Sequence, residues 1–323
     1  MQSNPEAQLP KKKTWRRWLI ISALIFLFVN GAGLLAGNIV YKETSVLHSR
    51  MKAQCTSQQR TLEIGKTEKH WQDIGIESGF GYLLQGTFIP NPKATDKTLI
   101  FLHGFTEDRL AGLSYLGIYL NAGFNLLLVD SRAHGESGGN SVTWGNYEKY
   151  DLDRWVDWVS QRYPAGKIGV HGVSMGAATA LMHAELNEYN KRVDFYIAES
   201  AYSDFETLLE LLMKQRLNLP RTVLPELLLQ YANLAAYIDS RFTFHQASPV
   251  RAVRNVTTPI LYIHGEADEV VPAYMSLELY NATKGPRQIY TFPHVGHASA
   301  VFGDWSQYSR VIQNFTRSVE QHS

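Results

Sequence analysis

Gly172-Val173-Ser174-Met175-Gly176 follows the apolar run Ile168 to Val170 and precedes the small, helix-prone stretch Ala177 to His183. Strand, sharp turn and helix in that order make a nucleophile elbow, which leaves the Ser174 hydroxyl exposed above the strand. The turn needs Gly on both sides, because neighbouring backbone and the incoming helix come too close for a Cβ. The pentapeptide alone is a common string, and three further segments give it meaning. The run Thr98 to Leu102 ends in His103-Gly104-Phe105-Thr106, a turn whose backbone N–H groups can point at a developing oxyanion. Pro259 to Ile263 reads as a buried strand that ends in His264-Gly265-Glu266-Ala267-Asp268, which places a carboxylate just past a strand end. Gln288 to Phe292 is a short strand followed by Pro293-His294-Val295-Gly296-His297. A hydroxyl, a carboxylate and an imidazole brought together are the parts of acyl transfer. A serine hydroxyl is almost fully protonated near neutral pH, so a base must take its proton during attack, and an acid must hold that base.

Two more strings join these: Asp130-Ser131-Arg132-Ala133-His134-Gly135-Glu136-Ser137 and Glu199-Ser200-Ala201-Tyr202-Ser203. With His103 to Thr106 and His171 to Ala178, they make the stretch Ile74 to Val319 resemble the α/β-hydrolase superfamily. Within that superfamily the chain is most similar to the membrane-anchored cell-surface hydrolases of Gram-positive bacteria. The order Ser, Asp, His is that of the superfamily and differs from the chymotrypsin and subtilisin orders. The resemblance implies Ser174 as nucleophile, Asp268 as acid and His297 as base, with the backbone N–H groups of Phe105 and Met175 as oxyanion hole. It implies a mostly parallel eight-stranded sheet with helices on both faces and a helical cap, and no cofactor or metal. Two positions depart from the pattern: related sequences often carry Asp-Cys at Glu199-Ser200, and Gly or Ala at His294.

Each candidate has a plainer reading. Ser174 can be a turn serine, and Asp268 a helix N-cap, a common job for Asp. Glu199, after the preceding strand, is the reserve acid. His294 competes with His297, which is preferred because Gly296 before it frees the turn. His103, His134, His171 and His264 each adjoin a Gly and are read as hydrogen-bonders that order turns.

The elements that position these residues alternate. Trp71 to Pro90 reads as two antiparallel strands, followed by strand Thr98 to Leu102, a helix near Leu110 to Asn121 and strand Asn125 to Val129. Leu152, Trp155, Val156 and Val159 then fall on one helical face. Such alternation implies a mostly parallel sheet covered on both sides. Residues 201–257 break it: more than fifty residues without a strand signal but rich in leucine are too apolar for a loop. They are read as a helical cap, with part of its leucines lining an apolar acyl or alcohol pocket.

The N-terminus carries a separate message. Lys11, Lys12, Lys13, Arg16 and Arg17 precede Trp18 to Val40, twenty-three mostly apolar residues, where about 20 suffice to cross a bilayer. This divides the chain into a basic tail (1–17), a transmembrane signal anchor (18–40), a stalk or linker (41–70) and a hydrolase domain (71–323). The charge bias holds the tail in the cytoplasm and places the hydrolase outside. The rival reading is a signal peptide cleaved near Gly31-Ala32-Gly33, giving a secreted enzyme. A net charge of +1 without a basic stripe in the body gives no footprint for nucleic acid. The lone Cys55 rules out an internal disulfide. The expected substrate is a small-molecule carboxylic ester with a short to medium acyl or aryl group, and no obligate protein partner is evident. Peptidase, thioesterase or acyltransferase chemistry on the same residues stays open. So does a non-catalytic anchored binding protein on a hydrolase scaffold.

Overall fold

Eight strands form one sheet in the computed structural model, which describes residues 14–47, 56–217 and 224–321. Cys55 and the Lys11 to Lys13 cluster lie outside the described residues. The strands are β1 (Gln72–Glu77), β2 (Leu83–Ile89), β3 (Thr98–Leu102), β4 (Asn125–Val129), β5 (Ile168–Val173), β6 (Phe195–Glu199), β7 (Ile260–Gly265) and β8 (Arg287–Phe292). Their spatial order is β1-β2-β4-β3-β5-β6-β7-β8. The β1–β2 hairpin and the β2–β4 pair are antiparallel, and all other neighbours are parallel. Every residue of β3 to β7 is buried, as expected of parallel strands covered on both faces.

The helices are α1 (Thr14–Lys42), α2 (Thr56–Glu68), α3 (Leu116–Asn121), α4 (Glu148–Arg162), α5 (Met175–Asn187), α6 (Phe205–Leu217), α7 (Leu224–Ser240), α8 (Pro249–Ala252), α9 (Tyr274–Ala282), α10 (Ala300–Gly303) and α11 (Trp305–Gln321). One apolar layer joins Leu152, Trp155, Val156 and Val159 of α4 and Leu181 of α5 to one face of the sheet. The opposite layer takes Ile118 and Tyr119 of α3 and Tyr308, Ile312, Phe315 and Val319 of α11, the last four at helical spacing. The start of the expected helix near Leu110 is a tighter 3₁₀ segment, Arg109–Tyr115. Gly112 within it lies so close to β3 and β4 that an added Cβ would meet the Phe101 and Leu128 side chains at 2.7 Å.

The cap between β6 and β7 is α6, α7 and α8, with no strand among its described residues. It has an apolar layer of its own, in which Leu208, Leu209, Leu229, Ala232 and Ala236 pack with Trp144, Met175, Tyr202 and Phe205. Trp144 stacks on Phe205 with ring centroids 4.0 Å apart.

The residues following the apolar span, expected as a stalk, are partly absorbed into this layer. α1 continues through a π-helical turn, Glu43–Leu47, and Tyr41 is fully buried in the cap cluster. The Tyr41 hydroxyl donates to Asp239 Oδ2 at 2.6 Å and lies 2.6 Å from the Ser240 hydroxyl. Val142 N–H donates to the Ser45 carbonyl at 2.9 Å, and the Trp144 indole N–H reaches Ser45 Oγ at 3.3 Å. Earlier in α1, an added Cβ at Gly33 would strike the Tyr231 ring, and one at Gly37 the Tyr231 backbone, both below 2.5 Å.

Candidate active site

β5 delivers Ser174 and α5 begins one residue later. Ser174 sits at φ +53°, ψ −113°, a backbone conformation costly for a residue with a Cβ. The residues two before and two after it are glycines where the backbone leaves no room for a Cβ. A Cβ on Gly172 would lie 2.2 Å from the Gly176 carbonyl oxygen, and one on Gly176 would lie 2.3 Å from that of Leu102. The Ser174 N–H donates to the Glu199 carbonyl at 2.8 Å, which ties the elbow to the end of β6.

The Ser174 hydroxyl donates to His297 Nε2 at 2.9 Å, and His297 Nδ1–H donates to Asp268 Oδ2 at 2.7 Å. The three side chains proposed from sequence therefore form one hydrogen-bonded chain. Two further contacts align the loops that carry the last two of them. Glu266 N–H donates to the Phe292 carbonyl and Ala267 N–H to the Val295 carbonyl, each at 2.9 Å. A Cβ on Gly265 would meet that Val295 oxygen at 2.3 Å, so the acid loop and the base loop touch backbone to backbone.

The Asp268 side chain is fully buried. Burial pushes its carboxyl up, but hydrogen bonds from His264 and His297, the charge of His297 and the Val271 N–H outweigh this and hold it well below the usual carboxylate range. Oδ1 accepts from Val270 N–H at 2.9 Å and Val271 N–H at 2.8 Å, so the turn-capping role of an Asp is also present here. His264 supports the same group: its Nε2 lies 2.8 Å from the Val271 carbonyl and 3.1 Å from Asp268 Oδ2.

Beyond β3, the turn that carries Phe105 is held by imidazoles. The fully buried His103 contacts the Gly104 carbonyl through Nδ1 at 2.7 Å and accepts from Ser131 N–H through Nε2 at 3.0 Å. His134 Nε2 accepts from Thr106 N–H at 3.3 Å, and Thr106 takes a left-handed φ of +68°. Burial pushes His134 down to about 4, so it stays neutral and can accept. A buried Arg109–Asp130 ion pair braces the adjoining loop, with Glu136 N–H donating to Asp130 Oδ2 at 2.9 Å. Met175 opens α5, where an N–H has no intrahelical acceptor. The Phe105 ring packs on Trp144 at 4.7 Å between centroids, which joins this turn to the cap layer.

The structure does not bring the rival residues into the chain of hydrogen bonds. Glu199 is fully buried beneath the site, where it accepts from the Tyr308 hydroxyl at 2.6 Å, the Tyr115 hydroxyl at 3.1 Å and Ala300 N–H at 3.2 Å. Burial pushes its carboxyl up. Together with Ser200 Oγ, which accepts from Ala298 N–H at 3.1 Å, it fastens the residues just after His297. His294 is exposed and carries the left-handed φ of its loop, +60°. Gly296 does not free the turn as expected. Its φ is ordinary, and an added Cβ would meet only the Ala267 carbonyl, at 4.0 Å.

Three contributors escaped the sequence reading: Ser200 and Tyr308 behind His297, and Glu107, whose carboxylate accepts from Gly104 N–H at 3.0 Å. Glu107, Ser114, Tyr115, Val173, Ala298 and Phe302 line a cavity of about 100 Å³ beside the site. None of its wall comes from the cap, whose buried leucines face Trp144 and Met175 instead of walling this space. Among the described residues no group of three or more His, Cys, Asp or Glu side chains is arranged to hold a metal ion.

Residues 97–229 match a family model described as alpha/beta hydrolase fold. The uncharacterized protein YqkD of Bacillus subtilis (strain 168) is 32% identical over 241 residues, covering 74% of this chain and 77% of that one. The solved esterase Pf2001 of Pyrococcus furiosus superposes on 77% of this chain and 90% of its own, with TM-score 0.61 and 25% identity. Est1E of Butyrivibrio proteoclasticus, solved with ferulic acid bound, shares the fold over 77% of this chain and 99% of its own, with TM-score 0.59 and 18% identity.

Proposed function

Because the chain belongs to the α/β-hydrolase family, we propose that it is a serine hydrolase that cleaves carboxylic esters of short to medium acyl or aryl groups. The observation that carries this reading is the continuous chain from Ser174 Oγ through His297 to Asp268 at a strained elbow. His297 Nε2 takes the hydroxyl proton as Oγ attacks the ester carbonyl, and the anionic Asp268 holds the tautomer and stabilises the imidazolium. The tetrahedral oxyanion is met by the backbone N–H groups of Phe105 and Met175, fixed dipoles worth about 3 kcal/mol each in comparable sites. His297 returns the proton to the leaving alcohol, and water releases the acyl group by the same steps in reverse. The esterase among the similar structures supports the ester over other acyl groups.

We read α1 as an uncleaved anchor. Trp15–Val46 is the one stretch among the described residues long and apolar enough to cross a membrane, and none of the window that qualifies is buried. Tyr41 and Ser45 at its end are buried in the hydrolase. Arg16 and Arg17, at the start of this helix and before its apolar run from Trp18, put the N-terminus in the cytoplasm and the hydrolase outside.

The test is active-site labelling with a fluorophosphonate, beside turnover of p-nitrophenyl esters of graded chain length and of thioester and peptide panels. Labelling and ester turnover should both vanish in Ser174→Ala, with the melting temperature within a few degrees of the parent. Turnover that survives in Ser174→Ala would remove the serine-hydrolase reading. An unlabelled parent with no turnover would favour a binding protein on this scaffold.

A further inference from the structure

α7 carries two faces that the catalytic reading does not use, and both concern α1. Along one face the contacts climb both helices in the same direction. Tyr231 meets Asn30, Gly33 and Gly37, whereas Asp239 and Ser240 meet Tyr41, so the helices run parallel. The Tyr231 backbone touches the position of a Gly37 Cβ, which sets the two at one level. At equal rise per residue, Leu224 at the start of α7 then stands level with about residue 30 of α1. Beside that contact face lies a strip of exposed apolar side chains, Leu224, Leu227, Leu234, Tyr237 and Ile238, interrupted by Gln230. A contiguous exposed apolar strip of this kind marks an interaction surface.

Its position beside α1 identifies the occupant. A hydrocarbon core of about 30 Å takes about 20 residues of helix, which Trp18 to Gly37 supply, with Arg16 and Arg17 left at its cytoplasmic edge. Every side chain of α1 from Trp15 to Val29 is exposed, whereas Gly37, Tyr41 and Ser45 are buried against the hydrolase. With the core placed on Trp18 to Gly37, the start of α7 stands within its near leaflet and Ser240 stands clear of it. Tyr237 is an amphipathic ring of the type that collects at such interfaces.

We propose that the exposed face of α7 rests in the near leaflet of the bilayer that α1 crosses, so that the cap is held on the membrane. The strip continues the surface that α1 itself presents to lipid, and no second protein is needed to cover it. The proposal rests on the anchored-hydrolase reading above. Its consequence for the site is that the covering helix contacts lipid, so an ester carried by a membrane amphiphile reaches the cap without crossing water.

The experiment uses the full chain in phosphatidylcholine vesicles, with Cys55→Ser as background and a bimane label on Leu227→Cys or, as a water-facing control, on Tyr189→Cys. The label at 227 should be quenched by doxyl-phosphatidylcholine and shielded from iodide, and the label at 189 should behave the other way. A second variant, Leu227→Glu with Leu234→Glu, should still float with vesicles and hydrolyse p-nitrophenyl acetate at the parental rate. Its kcat/KM on a long-chain ester embedded in the bilayer should fall at least tenfold. If the chain floats but iodide quenches position 227 as fully as 189, the cap does not touch the bilayer and the proposal is overturned. Failure of the parent to float through alkaline carbonate would remove the anchor, and the proposal with it. Absence of p-nitrophenyl acetate turnover with correct quenching would leave the docking standing and remove the hydrolase.

Discussion

The elbow and its partner loops are held by backbone, whereas the cap above them is held by side chains. Around Ser174, Gly172, Gly176 and Gly265 face carbonyl oxygens at distances that admit no Cβ, and main-chain hydrogen bonds lock the acid loop to the base loop. In the cap, Leu208, Leu209, Leu229 and Phe205 pack on Trp144 and Met175, and Tyr231 lies across α1. Backbone contacts fix atoms to a few tenths of an ångström, which proton transfer requires. Apolar packing is non-directional and tolerates rearrangement at modest cost.

Substitutions can sharpen this contrast. The largest effect is expected at the hydrogen-bonded chain: Asp268→Asn and His297→Ala should each lower kcat by about 10³ or more. Glu199→Gln and His294→Ala should cost far less. Steady-state kinetics decide it, and a crippled Glu199→Gln would move the acid to the end of β6.

Gly37→Leu comes next, with its effect on the cap and not on the chemistry. Because a Cβ there meets the Tyr231 backbone at 2.4 Å, α1 and α7 must separate. Overpacking of this kind costs about 1–3 kcal/mol. The expected outcome is faster proteolysis and hydrogen exchange within α7, with p-nitrophenyl acetate turnover nearly unchanged. Equal protection of α7 in both chains would show that the two helices are not coupled.

A pH series tests the buried imidazoles, of which His103 and His134 brace the turn that carries Phe105. Burial pushes His103, His134, His171 and His183 down, His134 to about 4 and His171 to about 3. The unfolded chain takes up protons below about 6.5 that the folded chain refuses, so stability falls as pH drops from there toward 4. Asp151, which burial pushes up to about 6, acts in the opposite sense and offsets part of the loss. The melting temperature should therefore decline over this range, and a rise toward pH 4 would contradict the neutral assignments. Gly296→Ala closes the series with the smallest effect, within about 0.5 kcal/mol, because its Cβ has room. A large loss of stability or rate would mean that the loop needs glycine after all.

The legible part of the molecule was the part written in local strings. An apolar run followed by a glycine-bracketed serine reads as a strand that turns sharply into a helix once the other strand-end segments are counted with it, and the alternation of such runs implied the parallel sheet. Ser174, Asp268 and His297 each stand at the end of a strand, so reading the strands located the side chains that the structure brings within hydrogen-bond distance. The roles of Ser200, Tyr308 and Glu107 were not legible because they depend on which distant loop lies beside them: Ser200 was marked only as part of a departure from the family pattern, and a tyrosine in α11 carries no local mark. Gly296 misled for a related reason. A glycine beside a histidine suggests a strained turn, but the strain is taken by His294 and Ala298, which have φ of +60° and +51°. The docking of α1 on α7 was also hidden, since Gly33 and Gly37 read equally well as part of any membrane helix.

That docking sets an order of events during synthesis. Tyr41 and its partner Asp239 are 198 positions apart in the chain. At the usual 5–20 residues per second, α1 is made roughly ten to forty seconds before the helix it will hold. Throughout that interval Gly33 and Gly37 present a small-residue groove of the kind that pairs membrane helices. On the anchored reading proposed above, a newly made chain enters the bilayer with an empty seat, open first to the apolar helices of neighbouring proteins and only later to its own cap.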